Sequence, residues 1–260
     1  MSSRGFSRLV TLVLLLASFG IALAQPSNEI LVSAAISMKN AFEEIGRVYE
    51  TLNRDAKVSF NFGASGDLAR QIEGGAPVDV FVSASVTEMD DLDSKGLVLR
   101  GTRVNFARNR LVLVVPAGSG LKVTSFVDLQ KPEIKKIAIG NPKTVPAGRY
   151  AEEVLRHYGV RDSLRERLVF AENVRQVLDY VARGEVDAGM VYSTDAMTRP
   201  KEVTLVATAP EGSHKPILYP IAVIKGTKKE NAARGLVSLV VSPEGRKILE
   251  RHGFEPIQGK

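Results

Sequence analysis

The chain has 260 residues, a formal net charge of +6 and no cysteine. Without cysteine it has neither a disulfide nor a site for a lipid on an N-terminal cysteine. Its positive charge is small for a nucleic-acid binder, in which basic residues also cluster on one face. Apolar residues make up 44% of the sequence, a content typical of a fully folded globular chain.

The first predicted element is an export signal. Arg4 and Arg8 precede an apolar run over residues 9–24, which ends in Ala22-Leu23-Ala24. A membrane-spanning helix needs about 20 apolar residues, more than this run provides. Cleavage after Ala24 is therefore predicted rather than a membrane anchor. It leaves 33 basic against 29 acidic residues, a charge of +4, on a mature protein free in the periplasm.

Strand and helix patterns then alternate through the first part of the mature chain. The predicted strands are 30–34, 58–62 and 78–83, and the helices begin after Ser37, after Gly66 and near Val86. This βαβαβα order is typical of a parallel sheet with helices on both faces.

A second series of the same kind follows. Its predicted strands are 110–115, 136–139, 168–170 and 187–192, with helices after Pro146 and from Val174. A last strand, 217–224, and two helices, the second with Ser242 as its N-cap, are too few for a third domain. We expect this tail to return to the first sheet.

The predicted fold class is therefore α/β, with two doubly wound lobes joined by two crossings and a ligand cleft between them. The crossings are predicted near 105–109 and 209–215, where the periodic patterns stop. Lobe 1 is expected to contain residues 25–108 and 217–260, and lobe 2 residues 109–216. Loops at the carboxyl ends of the strands are expected to face the cleft.

Three loops that open helices share a chemistry suited to an anion. They are the segments Ala34-Ala35-Ile36-Ser37, Phe62-Gly63-Ala64-Ser65-Gly66-Asp67 and Val145-Pro146-Ala147-Gly148. Each presents backbone N–H groups that have no acceptor within the helix, and two of them add a hydroxyl. Three such ends predict convergence on one ligand.

Further segments in the same order carry a resemblance to a known family. They are Gly75-Ala76-Pro77-Val78-Asp79-Val80-Phe81-Val82-Ser83-Ala84, Gly140-Asn141-Pro142, Ala171-Glu172-Asn173-Val174-Arg175, Gly189-Met190-Val191-Tyr192 and Tyr219-Pro220. Together with the three loops they cover essentially the whole mature chain. In this respect the chain resembles the periplasmic molybdate-binding proteins that supply ABC transporters, which have a clamshell fold.

The resemblance implies a ligand shell made of neutral donors. Ser37 and Ser65 are expected to offer a hydroxyl and a backbone N–H from the first lobe. Ala147 and Val174 are expected to offer backbone N–H groups from the second lobe, and Tyr192 its phenol. The ligand is expected to be molybdate or tungstate, so that molybdenum enters as an oxyanion, and no cofactor is expected.

The resemblance also implies a membrane ABC permease as partner and a monomeric protein without nucleic-acid partners. Sulfate, or another tetrahedral oxyanion, is kept as an alternative cargo. The chain departs from the pattern of this family at Asp67, a position where many relatives carry a neutral residue. We expect it to act as a first-turn helix acid stabilised by the helix dipole.

An enzyme is the rival from another class. The segment 63–67 resembles the G-x-S-x-G turn of a serine hydrolase but has Asp67 in place of the last glycine. His157 and His252 are predicted to lie at helix C-termini, and His214 near the second crossing. A resident metal or nucleotide site is disfavoured, because the sequence has no cysteine, no H-E-x-x-H and no phosphate-loop motif.

Overall fold

A computed structural model describes residues 29–257 of the chain. The predicted signal peptide and its cleavage site lie outside these residues. Between residues 29 and 257, no helix has the length and apolar character needed to cross a bilayer.

Strands and helices alternate along the described residues. The strands are β1 Glu29–Ala35, β2 Lys57–Gly63, β3 Val80–Val82, β4 Val104–Arg108, β5 Leu111–Pro116, β6 Ile137–Gly140, β7 Leu168–Ala171, β8 Ala188–Tyr192, β9 Val203–Thr208, β10 Leu218–Val223 and β11 Glu255–Pro256. The helices are α1 Lys39–Leu52, α2 Ser65–Glu73, α3 Val86–Ser94, α4 Pro146–His157, α5 Val174–Ala182, α6 Ser193–Ala196, α7 Glu230–Val241 and α8 Pro243–Arg251. Short 3-10 helices lie at Ile36–Met38, Val127–Gln130 and Arg165–Arg167.

The first lobe is built on a sheet with the strand order β11-β4-β10-β3-β1-β2. β1 pairs in parallel with β2 and β3, whereas β10 runs antiparallel between β3 and β4. Phe42 and Ile45 of α1 are buried in the core on one face of this sheet, and Leu68 of α2 and Met89 of α3 are buried in a second cluster with Phe81. The sheet is therefore covered on both faces, as its apolar strands require.

The second lobe has the strand order β7-β6-β8-β5-β9. β6 is parallel to β7 and β8, and β5 is antiparallel to β8 and β9. The chain passes from the first sheet to the second between β4 and β5 and returns between β9 and β10. The predicted α/β fold of two lobes with two crossings is confirmed.

The prediction was wrong about strand direction, and it missed strands β4, β9 and β11. Both sheets are mixed, and residues 105–108 of the predicted first crossing belong to strand β4. β5 and β10 each enter their sheet from a crossing, without a crossover helix before them, so nothing imposes the parallel direction of a βαβ unit.

Candidate functional site

All five sequence-predicted site residues line one cavity between the lobes. Ser37, Ser65, Ala147, Val174 and Tyr192 are each no more than 3% exposed. The other lining residues are Ala35, Ile36, Gly63, Ala64, Ala84, Val145 and Pro146. The centre of a water-sized sphere can reach about 10 Å³ of this cavity, and all the space between its walls, part of it open to solvent, is about 200 Å³. A cavity this small suits a small ion better than a sugar or a peptide. None of the residues that line it has a charged side chain.

Four backbone N–H groups at the cavity make no hydrogen bond to any group in residues 29–257. They belong to Ser37, Ser65, Ala147 and Val174. Each of these residues lies in the first turn of a helix, where an N–H has no acceptor within the helix. Buried N–H groups are nearly always paired in folded proteins. Four together in one small cavity therefore indicate an acceptor-rich ligand.

The local sequence at these helix starts keeps the N–H groups available. The N-cap residues of α2 and α4 are Ala64 and Val145, which have no side chain that could accept a hydrogen bond. In α5 the N-cap is Asn173, and its Oδ1 accepts the N–H of Gln176 at 3.0 Å. That bond caps the third helical residue and leaves the first, Val174, unpaired.

Two glycines place the start of α4 directly on the end of β6. A Cβ at Gly148 would lie 2.0 Å from the carbonyl oxygen of Gly140, and a Cβ at Gly140 would lie 2.4 Å from Cγ1 of Val145. Any side chain at either position would push the helix away from the strand. The glycines therefore hold the N–H of Ala147 at the cavity wall.

The hydroxyl of Ser65 has a defined role. Its Oγ accepts the backbone N–H of Ala84 at 3.0 Å, so its own hydrogen remains to be donated. Within the described part of the chain, the phenol of Tyr192 has one hydrogen-bond partner, the carbonyl of Ala84, at a long 3.5 Å. A phenol with so weak a partner can turn its hydrogen to a ligand in the cavity.

Both buried tyrosines at the site keep their protons. Burial, reinforced by neighbouring Tyr219, raises the pKa of Tyr192 well above 10. Burial likewise raises the pKa of Tyr219 above its ordinary range. Tyr192 is therefore a hydrogen-bond donor over the whole physiological range of pH.

Tyr192→Phe is expected to reduce the loss of stability in alkali. The unfolded chain ionises this phenol near pH 10 while the folded protein keeps it neutral. The contribution of the neutral Tyr192 phenol to the free energy of unfolding is thus fully present below about pH 10. As the pH rises further, this contribution falls by up to about 1.4 kcal/mol per pH unit. Urea unfolding between pH 8 and 11 measures this. If the free energy of unfolding falls with pH equally in the variant and in the unmodified protein, Tyr192 is not buried away from water in solution.

The lobes contact each other around the cavity. The N–H of Gly66 in α2 donates to the carbonyl of Thr144 in the second lobe at 3.0 Å. Glu88 of α3 forms an ion pair with Arg149 of α4. The structure therefore shows a closed arrangement in which contacts between the lobes surround the site.

A third contact between the lobes joins the start of α5 to α1. Arg175 donates from Nη2 to Oδ1 of Asn40 at 3.2 Å and from Nε to Oδ1 of Asp195 at 2.5 Å. Burial raises the pKa of Asp195, and the Arg175 guanidinium opposes that shift. Because its charge is paired with Asp195, Arg175 does not supply an unpaired cation beside Val174.

The position expected for Asp67 is confirmed. It lies in the first turn of α2, its carboxylate pairs with Arg70, and it does not line the cavity. The three histidines also lie away from the cavity lining. His157 ends α4, His252 contacts Glu44 at 2.8 Å, and His214 contacts the carbonyl of Lys215 at 2.7 Å.

Two residues behind the site were not predicted. Tyr219 lies 3.2 Å from the Ser37 hydroxyl, and Asn109 donates to Tyr219 at 3.2 Å. Tyr219 was noted as part of a motif and Asn109 as the end of a crossing, but neither was assigned a role. Buried polar residues next to both predicted crossings were the signal that could have found them.

Two α/β lobes joined by two crossings, with a donor-lined cavity between them, define a two-lobed solute-binding protein. The chain belongs to the family described as bacterial extracellular solute-binding proteins, whose sequence profile matches residues 30–255. It is accordingly a binding protein and not an enzyme.

Several proteins named as molybdate-binding are similar to this chain over most of their length. It is 38% identical over 252 residues to a molybdate-binding protein of Haemophilus influenzae, covering 94% of this chain and 96% of that protein. It is 37% identical to a molybdate-binding protein of Escherichia coli over 87% of this chain and 89% of that one. The solved periplasmic molybdate-binding protein of Azotobacter vinelandii superimposes with a TM-score of 0.78 at 28% identity, covering 86% of this chain and 98% of that one.

Proposed function

We propose that this protein captures molybdate between its lobes and delivers it to an ABC permease. The observation that carries the proposal is the set of neutral donors from both lobes around one cavity without a charged side chain. Ser37 and Ser65 would bind through hydroxyl and N–H, Ala147 and Val174 through N–H alone, and Tyr192 through its phenol. The names of relatives at 37–38% identity support molybdate rather than sulfate as the cargo.

Neutral donors are sufficient to hold a dianion here. The partial positive charge at a helix N-terminus favours a nearby anion by about 0.3–1 kcal/mol when exposed and by up to about 2 kcal/mol when partly buried. α2, α4 and α5 all begin at the cavity. Among the described residues, none that lines the cavity carries a charged side chain that would hold the anion back, which favours release to a transporter.

The donor set also bears on selectivity. A donor-only shell suits an anion that has lost all its protons and disfavours phosphate that retains one. Hydrogen bonds from N–H groups keep within about 2.7–3.2 Å, so a rigid shell sized for molybdate would hold the smaller sulfate with longer bonds. Tungstate, which is similar in size to molybdate, is proposed to bind as well.

We further propose that residues 25–108 with 217–260 move as one body and residues 109–216 as the other. The anion would dock first on Ser37 and Ser65, and closure of the second lobe would complete the shell and be read by the permease. The protein is proposed to act as a monomer in the periplasm after cleavage behind Ala24. Small-angle scattering should show compaction when ligand is added.

Thermal unfolding with a panel of anions tests the proposal. Molybdate at about 100 times its dissociation constant should add about 2.7 kcal/mol to the free energy of unfolding. For a chain of this size that raises the melting temperature by about 5–10 °C. Tungstate should act alike, and sulfate and phosphate much less. A shift with sulfate alone would assign the cargo as sulfate, and no shift with any anion would remove the proposal.

A further inference from the structure

A chain of hydrogen bonds leads from the first crossing between the lobes to the Ser37 hydroxyl. Asn109 lies between β4 and β5 and is 8% exposed, and Tyr219 of β10 is fully buried. The phenol oxygen of Tyr219 lies 3.2 Å from Asn109 Nδ2 and 3.2 Å from Ser37 Oγ. By distance alone, either hydroxyl of the Tyr219–Ser37 pair could be the donor.

The Asn109 amide is oriented by a group that can only donate. The backbone N–H of Arg110 lies 2.8 Å from one side-chain atom of Asn109, and the hydroxyl of Ser193 lies 3.0 Å from the same atom. A backbone N–H never accepts, so that atom is the oxygen and the other is the NH₂ group. The NH₂ group then donates to Thr194 Oγ1 at 2.9 Å and to the Tyr219 phenol.

This orientation passes along the chain to Ser37. Because the Tyr219 oxygen accepts from Asn109, its one hydrogen is left for Ser37 Oγ, its other hydrogen-bond partner among residues 29–257. The reverse direction would leave a buried phenol hydrogen without an acceptor, which is unfavourable by about 1–3 kcal/mol. Ser37 Oγ therefore accepts from Tyr219, and its own hydrogen is free to turn to the cavity.

We propose that Asn109 and Tyr219 are positioning residues that make Ser37 present a hydrogen, rather than a lone pair, to the bound anion. The inference rests on the proposed function and deepens it. With this direction the hydroxyl donates to a fully deprotonated oxyanion. With the opposite direction it would instead accept from an anion that retains a proton, such as hydrogen phosphate.

Asn109→Asp reverses the direction with almost no change in shape. One carboxylate oxygen still accepts from Arg110 and Ser193, but the other accepts from Tyr219 instead of donating to it. Tyr219 then has no hydrogen for Ser37, and Ser37 donates to Tyr219. Calorimetric titration at pH 8 should show molybdate affinity falling by about 10- to 150-fold, the range for a lost hydrogen bond to a charged group.

The double variant Asn109→Asp with Tyr219→Phe separates direction from charge. It keeps the new carboxylate but removes the phenol, so the Ser37 hydroxyl is free to donate again. Its affinity should therefore recover to within about threefold of that of Tyr219→Phe alone. If charge repulsion caused the loss, the double variant would bind as weakly as Asn109→Asp, and that result would overturn the proposal.

If Asn109→Asp does not fold, a second comparison, of Tyr219→Phe with and without Ser37→Ala, still tests the proposal. Tyr219→Phe should lower molybdate affinity in the unmodified protein by less than Asn109→Asp does, because Ser37 can still donate but no longer has Tyr219 to orient it. In a Ser37→Ala background Tyr219→Phe should have no further effect. If Tyr219→Phe reduces molybdate affinity equally in both backgrounds, the proposal is overturned. It is also overturned if a folded Asn109→Asp has the same ratio of molybdate to hydrogen phosphate affinity as the unmodified protein. An unmodified protein that binds no oxyanion would instead remove the proposed function and this inference together.

Discussion

Gly66→Ala is expected to weaken molybdate binding by about 5- to 150-fold while leaving the ligand-free protein folded and as stable as before. In the closed structure a Cβ at this position would lie 2.7 Å from the carbonyl oxygen of Thr144 and 2.9 Å from its Cα. Thr144 belongs to the opposite lobe, so the clash arises only on closure. Overpacking of this kind typically costs about 1–3 kcal/mol, which converts to the stated range.

The open form should tolerate the same methyl group. Gly66 lies in the first turn of α2 and its backbone does not adopt a positive φ. Alanine also favours a helix over glycine by up to about 1 kcal/mol. The melting temperature without ligand should therefore stay the same or rise slightly.

Calorimetry, melting curves and small-angle scattering together check this prediction. Gly74→Ala at the other end of α2 is the matched control, because a Cβ there has no neighbour closer than 3.4 Å. It should keep full affinity. Undiminished binding by Gly66→Ala would mean that the lobes need not meet at Thr144. A lower melting temperature without ligand would mean that the glycine is needed within its own lobe.

Ser65→Ala is expected to reduce both affinity and stability, for two separate reasons. The lost hydroxyl is one of the proposed donors to the charged ligand, worth about 1.5–3 kcal/mol, or about 10- to 150-fold in dissociation constant. The same change leaves the buried N–H of Ala84 without its acceptor at 3.0 Å. That loss should lower the free energy of unfolding by about 1–3 kcal/mol even without ligand.

Val174→Ala is the control for this experiment. Val174 is buried and lines the cavity. The donor proposed for it is its backbone N–H, which alanine retains. The variant should lose stability through packing and keep molybdate affinity within about threefold. If Ser65→Ala and Val174→Ala lose affinity equally, side-chain packing rather than hydrogen bonding would govern binding.

The candidate site was predictable where it depends on local sequence. Ser37, Ser65, Ala147 and Val174 were found because a helix start after an apolar strand exposes N–H groups in any α/β fold, and because whole motifs resemble a known family. Tyr192 followed only from the family resemblance, through the segment Gly189-Met190-Val191-Tyr192. The structure brings all five to one cavity.

The contacts behind and across the site were not predictable in this way. Asn109 and Tyr219 are 110 residues apart in the sequence, and Gly66 meets Thr144 only because two lobes face each other. Neither pair leaves a periodic pattern, since each residue is isolated within its own segment. Strand β9 was missed for a similar reason, because the pairing that defines it is with β5, far away in the chain.

By itself the sequence determined the alternation of strands and helices, the two-lobed α/β fold and the donors at each helix start. These follow from the period of apolar residues and from residues next to each other in the chain. Tertiary structure alone decided the antiparallel strands, the closure of the lobes on Thr144 and the direction of the hydrogen bond to Ser37. Those features depend on distances between groups far apart in sequence, which only the packed chain specifies.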